Sequence, residues 1–297
     1  MVWLKNNIYN IITVNVKNFF IFLFIIFSFF NSQAQSKKQI AMTLDDLPAS
    51  YFGLPDTSLK NRSFIKIMST LQKFNVRVMG FVTSRNLYPE SERLLEKFVE
   101  NGNQIGNHTH SHLDLNQTSS RDYINDILEC QKYISKYING KKYFRYSLLH
   151  RGNTIAKRDS VYSFLHSNYF TIVPVSIDND EWKYNQLFAD AMKANDTVKA
   201  RQIATDYINH MIKMTNYFDS LSNSIVHRNI KHILLLHLNY INAIYLEDLL
   251  NWYVTSGWEF ISVDEALTDP IYKMKETYIG KRGLSYIKRI LYPPETD

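Results

Sequence analysis

Two adjacent carboxylates in Thr43-Leu44-Asp45-Asp46 and three histidines in His108-Thr109-His110-Ser111-His112 are the residues of this chain best suited to chemistry. Two imidazoles and one carboxylate can hold a divalent metal and leave positions open for water and substrate. A closed structural zinc site would call for more cysteine or histidine. His108 and His112 stand four residues apart behind Gln104-Ile105-Gly106 and are the natural pair, with His110 between them as the spare. Of the two aspartates, one can bind a cation while the other faces the substrate. Taken alone, Asp45-Asp46 before Pro48 would read as a solvated pair or a helix cap, and only the histidine cluster lifts it above that.

Position supports the same reading. Asp45 follows the apolar segment Gln39 to Leu44 directly, which places the carboxylates at the carboxyl end of a strand, where parallel α/β folds build their sites. Neighbouring side chains diverge in an extended strand, so the pair is expected to point apart. His237 ends Ile233-Leu234-Leu235-Leu236, the most apolar strand candidate, and should emerge at the same rim as a possible general acid. Arg145 ends another short strand, and its guanidinium could orient Asp45. Asp178 to Trp182 adds acids and an aromatic wall after Val173 to Ile177.

The elements that must hold these residues alternate. Strands are predicted at Gln39 to Leu44, Val76 to Val82, Gln104 to Gly106, Phe144 to Tyr146, Phe170 to Ile177, Ile230 to His237 and Trp258 to Val263. Helical patterns lie between most of them, at Leu59 to Phe74, Glu90 to Asn101, Arg121 to Ile138, Asp159 to Asn168 and Tyr245 to Ser256. Alternating β and α units predict a parallel sheet, open or closed as a barrel. Ser119 or Ser120 ahead of Arg121, and Gly102 and Gly257 after helical runs, mark helix ends. Residues 185–229 break the rhythm with a helical elaboration, in which Met192, Tyr207, Met211 and Met214 read as a packing stripe.

The chain of 297 residues is long enough for one substantial core, and its 45% hydrophobic content argues against disorder. Lys5 and Lys17 precede a twelve-residue apolar run from Phe19 to Phe30, followed by Asn31-Ser32-Gln33-Ala34 at cleavage spacing. That layout predicts a signal peptide over residues 1–34, with an uncleaved anchor as the lesser alternative, because a spanning helix needs about twenty apolar residues. Export to the periplasm or beyond, without stable membrane insertion after cleavage, is the expected localisation. The net charge of +6 falls to +4 when Lys5 and Lys17 leave, and the cations are scattered without a nucleic-acid motif. The single cysteine, Cys130, excludes an intramolecular disulfide and reads as a small apolar packing residue.

In order and spacing these pieces resemble the polysaccharide deacetylase family, the NodB-homology or carbohydrate esterase family 4 group. Thr43 to Asp46 is similar to its Thr-Phe-Asp-Asp motif with Leu44 for Phe, and His108 to His112 to His-Thr-x-Ser-His. Arg145 onward resembles Arg-x-Pro-Tyr, Asp178 to Trp182 resembles Asp-x-x-Asp-Trp, and Leu236-His237 aligns with Leu-x-His. The resemblance runs over roughly residues 39–263 and departs at Ser147, Leu148 and Glu181, where Pro, Tyr and Asp are usual.

The resemblance implies a distorted (β/α) barrel over residues 35–297, with the helical insertion before the strand carrying His237 and a helical tail over about 273–297. It implies that Asp46, His108 and His112 bind Zn²⁺, or Co²⁺ or Ni²⁺ in its place. Asp45 would be the base that activates water and His237 the acid that protonates the leaving group, with Arg145 positioning Asp45. A backbone N–H near Leu148 would help hold the oxyanion. Leu235 or Leu236 with Trp182 would line the acetyl-methyl pocket, and Asp178 would join Leu148, Trp182 and Leu236 in substrate binding. The expected activity is removal of N- or O-acetyl groups from an acetylated envelope or extracellular glycan. The alternatives are a catalytically impaired glycan-binding relative and a metal-dependent esterase or amidase on a small molecule.

Overall fold

A computed structural model describes residues 37–50 and 53–292, and these fall within one unit that begins at Lys37. The apolar N-terminal run and the expected cleavage site lie outside the described residues. Seven parallel strands form the sheet: β1 Lys38–Leu47, β2 Met79–Val82, β3 Gln104–Asn107, β4 Lys142–Phe144, β5 Phe170–Ile172, β6 Lys231–His237 and β7 Trp258–Phe260. They run in the order β5-β4-β3-β2-β1-β6, with β7 pairing the start of β1. Between them lie helices α1 Thr57–Lys73, α2 Ser91–Glu100, α3 Ser120–Ile134, α4 Ile155–Ser167, α5 Glu181–Lys193, α6 Thr197–Val226 and α7 Tyr240–Thr255, and after β7 come α8 Val263–Ala266 and α9 Tyr286–Leu291.

The two-residue period of β1 sorts its side chains between two cores. Ile40, Met42 and Leu44 join the larger core under the helices, while Ala41 packs with Met79, Phe81, Tyr143, Val173 and Ile233 on the opposite, inner face. Thr43 and Asp45 share the parity of Ala41, so the inner face becomes steadily more polar toward the carboxyl end. On β6, Ile233 faces inward and Leu234 and Leu236 face the helices, and the register sets Asp45 directly opposite His237.

The sheet curves into a barrel that hydrogen bonds do not close. Edge strands β5 and β6 are not paired with each other; the chain leaving β5 runs across the seam and makes one parallel bridge, Ile177 with Leu234. The strand predicted over Phe170 to Ile177 is therefore short, ending at Ile172 ahead of Pro174, which has no N–H to extend a ladder. Likewise the strand predicted to reach Tyr146 stops at Phe144, leaving Arg145 just beyond its end.

The expected insertion is the helix pair α5 and α6. On α6, Ala200, Ile203, Ala204, Tyr207, Met211 and Phe218 are buried at three- and four-residue spacing, and Met192 and Met214 pack partly buried against the same core. Tyr207 donates its hydroxyl to Asn242 Oδ1 at 2.6 Å, which fastens the insertion to α7. Ser119 caps α3 by accepting from the N–H of Asp122, and Gly102 and Gly257 hold φ values of 82° and 76° where helices end. Cys130 is buried in the helix-packed core, as its neighbours suggested.

The C-terminal tail differs from the helix expected over 273–297. Among the described residues only Pro270–Lys273, a 3₁₀ turn, and α9 are helical. The stretch between them is pressed against the loop after β4, where a Cβ on Gly283 would stand 1.9 Å from the carbonyl oxygen of Leu148. Close backbone approach of this kind excludes the thickness of a helix.

Candidate active site

Asp46, His108 and His112 offer one donor atom each within 4.8 Å of one another, at the carboxyl end of β1 and just past β3. His112 Nε2 lies 3.6 Å from Asp46 Oδ1, and His108 Nε2 lies 4.0 Å from the same oxygen. His108 gives its Nδ1 to the carbonyl of Arg145 at 2.9 Å, which leaves Nε2 turned toward the carboxylates. Burial first, and then the neighbouring His112, push the His108 imidazole down to about 3, so it stays neutral and keeps a lone pair for a cation. Two imidazoles and a carboxylate, open to solvent on the His112 side, fit a divalent metal with free positions. His110 turns away, with Nδ1 2.8 Å from Ser84 Oγ and its ring stacked on Tyr133.

Asp45 and Asp46 do not diverge as an extended strand would have them. Asp46 takes a left-handed φ of 63°, which swings its carboxylate back over the mouth. Both carboxylates thus approach one imidazole, with Asp45 Oδ2 3.6 Å from His108 Nε2. Thr109 and His112 likewise hold φ values of 68° and 54°, so the turn after β3 carries backbone strain at both ends of the histidine cluster.

Arg145 stands inside the barrel beneath Asp45. Its Nη1 donates to Asp45 Oδ1 at 2.8 Å and to Thr43 Oγ1 at 2.6 Å, and its guanidinium lies 4.2 Å from the centre of the Phe81 ring. Thr43 in turn donates to the carbonyl of Leu234 at 2.6 Å. A buried cation is thus matched to a buried carboxylate with its other donors engaged, the condition under which such a pair persists. One oxygen of Asp45 is occupied and the other faces the histidines.

His237 stands beside Asp45 on the neighbouring strand, and Glu181 anchors it from below. Glu181 is fully buried; one carboxylate oxygen lies 2.9 Å from His237 Nδ1, and the other accepts the His237 backbone N–H at 3.1 Å and Asn239 Nδ2 at 2.8 Å. Asn242 Nδ2 donates to that second oxygen as well. Burial works against the imidazolium, but the charge and hydrogen bond of Glu181 prevail, and the carboxylates of Asp46 and Asp45 add to them, so His237 is raised to about 10. His237 is therefore a protonated imidazole whose Nε2 is left for the mouth.

Ser147 is also buried in this frame. Its Oγ donates to the carbonyl of His108 at 3.2 Å, and its N–H donates to Tyr123 Oη at 3.3 Å. Where proline would stiffen the loop covalently, Ser147 holds it through hydrogen bonds that proline could not make. Leu148 follows with a φ of 56° and is half exposed, at the rim. Trp182 is half exposed, with the Lys183 ammonium 5.3 Å from its ring centre. Asp178 lies at the end of the seam-crossing stretch, where burial and then Asp180 raise its carboxyl above the usual range.

Leu236 does not take the place expected of it. It is fully buried in the helix-packed core, because the parity that turns His237 into the mouth turns Leu236 the opposite way. Leu235 has the inward parity. Glu181, Asn239, Asn242, Ser147 and Thr43 belong to the site without having been singled out for a role. A single acid immediately before Trp182 was a visible signal for Glu181; the asparagines carried only the ordinary signature of a helix cap, which Asn239 also is.

Residues 32–161 match the family model described as polysaccharide deacetylase. Peptidoglycan-N-acetylglucosamine deacetylase PgdA of Listeria monocytogenes is 26% identical over 152 residues, which are 51% of this chain and 28% of that protein, so the chain spans little more than a quarter of that relative's length. Among solved structures, the chitin deacetylase of Colletotrichum lindemuthianum superposes with a TM-score of 0.54 at 17% identity, covering 78% of this chain and 88% of that one. A mutant of a carbohydrate esterase family 4 pseudoenzyme superposes with a TM-score of 0.53 at 17% identity, covering 78% of this chain and 68% of that one. At such identities the superpositions establish the fold. Residues 32–161 are thus similar to the polysaccharide deacetylase family, and the chain shares the fold of solved members of that family.

Proposed function

We propose that this protein is an exported, metal-dependent hydrolase that removes acetyl groups from an acetylated glycan of the cell envelope or its surroundings. The observation that carries the proposal is the flanking of one cation site by two differently held groups. Asp45, clamped by Arg145, and His237, clamped by Glu181, meet in register at the ends of neighbouring strands beside it. A glycan-binding relative without turnover would need neither.

Asp46, His108 and His112 are the residues that would hold the cation, with Zn²⁺ preferred by the donor set and Co²⁺ or Ni²⁺ as substitutes. A divalent ion held by these residues would supply Lewis-acid polarisation of an acyl carbonyl and lower the pKa of water toward about 7. Asp45 accepts the proton of the attacking water through the oxygen that Arg145 leaves free. His237 then gives its Nε2 proton to the departing amine or alkoxide, and Glu181 holds the ring in the orientation that aims that proton at the mouth. The backbone at Leu148 and the exposed face of Trp182 stand at the rim, where a sugar ring would lie. Peptidoglycan is the favoured substrate, since the Listeria relative is named for it.

The test is acetate release by the purified protein, loaded with Zn²⁺, with Co²⁺ or with no metal, from peptidoglycan, chitin oligomers and acetylated xylan. Release that depends on added metal and disappears in Asp45→Asn is expected. Release that survives both chelation and Asp45→Asn would sink the mechanism.

A further inference from the structure

Away from the catalytic mouth, a cavity of about 740 Å³ opens along the barrel seam between α4, β5 and the C-terminal tail. Its lining is strongly cationic: Arg151, Arg158, Lys273, Lys275 and Arg289 contribute five positive charges against Asp159 and Glu276. Asp159 is already paired with Arg158 at 2.7 Å. Glu276 is shared by two guanidiniums, hydrogen-bonded by Arg151 Nη1 and 3.6 Å from Arg289 Nε. None of the proposed catalytic or metal-binding residues lines this cavity.

The shared carboxylate leaves the buried cluster one positive charge in excess. Arg289 is only 5% exposed, and the Nε atoms of Arg151 and Arg289 are buried without a hydrogen-bond partner. Unpaired buried donors and an uncompensated guanidinium each cost free energy. Fastening the tail to the barrel requires one cation on Glu276, not two. Burial and then the neighbouring Arg151 lower Arg289 to about 10, as expected of a guanidinium short of anionic partners.

We infer that this seam cavity is a binding site for a phosphate-type oxyanion, free or carried on a sugar. Paired guanidiniums match the geometry of phosphate oxygens, and Lys273 and Lys275 at the rim supply point charges at its entrance. The volume far exceeds that of one phosphate group and leaves room for a saccharide ring beside it.

Titration calorimetry on the full, chelator-treated protein tests the inference, since chelation removes any cation that would hold phosphate at the catalytic mouth. Inorganic phosphate, glucose 6-phosphate and glucose are titrated at constant ionic strength into the unaltered protein and into Lys273→Glu/Lys275→Glu, whose exposed positions leave the core intact. Saturable binding of both phosphates and not of glucose, weakened at least fivefold in the double variant, is expected. Tighter binding of glucose 6-phosphate than of phosphate supports a sugar-borne group, and equal binding supports a free oxyanion. Absence of saturable binding, or binding unchanged in a double variant with unaltered circular dichroism, overturns the inference.

Discussion

The Glu181 carboxylate sits 2.9 Å from His237 Nδ1 and accepts the His237 backbone N–H with its other oxygen, so a single buried acid fixes both the ring and the strand end that carries it. Glutamate stands here where the family usually has aspartate, and the longer side chain comes from the first residue of α5. Glu181→Gln keeps the shape and removes the charge. The alkaline limb of kcat should then move down by at least about one pH unit, since each unit corresponds to about 1.4 kcal/mol of lost stabilisation of the imidazolium. A kcat–pH profile identical in the two proteins would show that Glu181 does not govern the acid.

The same pair sets a stability window in the metal-free protein. His237 is raised from 6.5 to about 10, so its contribution is fully present below pH 6.5 and is lost as pH rises through 10. His108 is lowered to about 3, so the unfolded chain takes up a proton that the folded one refuses, and stability falls as pH drops from 6.5 toward 3. Urea midpoints measured from pH 4 to 10 on chelated protein should therefore peak near neutrality. Glu181→Gln should flatten the alkaline decline.

Asp45→Asn should separate catalysis from cation binding. Loss of the base is expected to lower kcat by roughly 10²- to 10⁴-fold. Zinc affinity measured by competition with a chromophoric chelator should remain within a few-fold of the original, while His112→Ala should weaken it by about a hundredfold or more. Equal loss of affinity in the two variants would make Asp45 a ligand.

Arg145→Met leaves the Asp45 carboxylate buried without its partner, and is expected to cost about 3–5 kcal/mol. Adding Asp45→Asn should recover part of that loss, because the two changes remove opposite halves of one interaction. Additive urea-unfolding free energies would indicate that the pair is not coupled.

Gly283→Ala would drive a methyl group to 1.9 Å from the carbonyl oxygen of Leu148, and neither backbone has a flexible end to give way. A loss of about 2 kcal/mol, seen as a fall of about 4–8 °C in Tm, is expected. KM should rise with it, since the tail braces the Leu148 loop at the rim.

Most of the element order and the histidine pair of the candidate cation site could be read along the chain because local signals carry them. Apolar runs ending at Asp45 and His237 put those residues at one rim, and His108 and His112 lie within one turn of each other in the sequence. Leu236 departs from its expected place because adjacent strand residues face opposite ways, so the turn of His237 into the mouth sends Leu236 to the helices. The tail was read as helical because its contact with the Leu148 loop is non-local. Asn239 and Asn242 look like any helix start until Glu181 arrives from another element.

By itself, then, the sequence determined the alternation of strands and helices, the pairing of His108 with His112 as candidate ligands, and the placing of Asp45, Asp46, Arg145 and His237 at or near strand ends, since each depends on side-chain types within a few residues of one another. Tertiary structure alone decided that Asp46 turns back to face the same imidazole as Asp45. It decided that Glu181 clamps His237 from below and that two arginines share one glutamate at the seam. Those pairings join residues up to 125 positions apart, as in Arg151 and Glu276. The free energy of a buried charge depends on what the folded chain brings against it, and no local pattern records that.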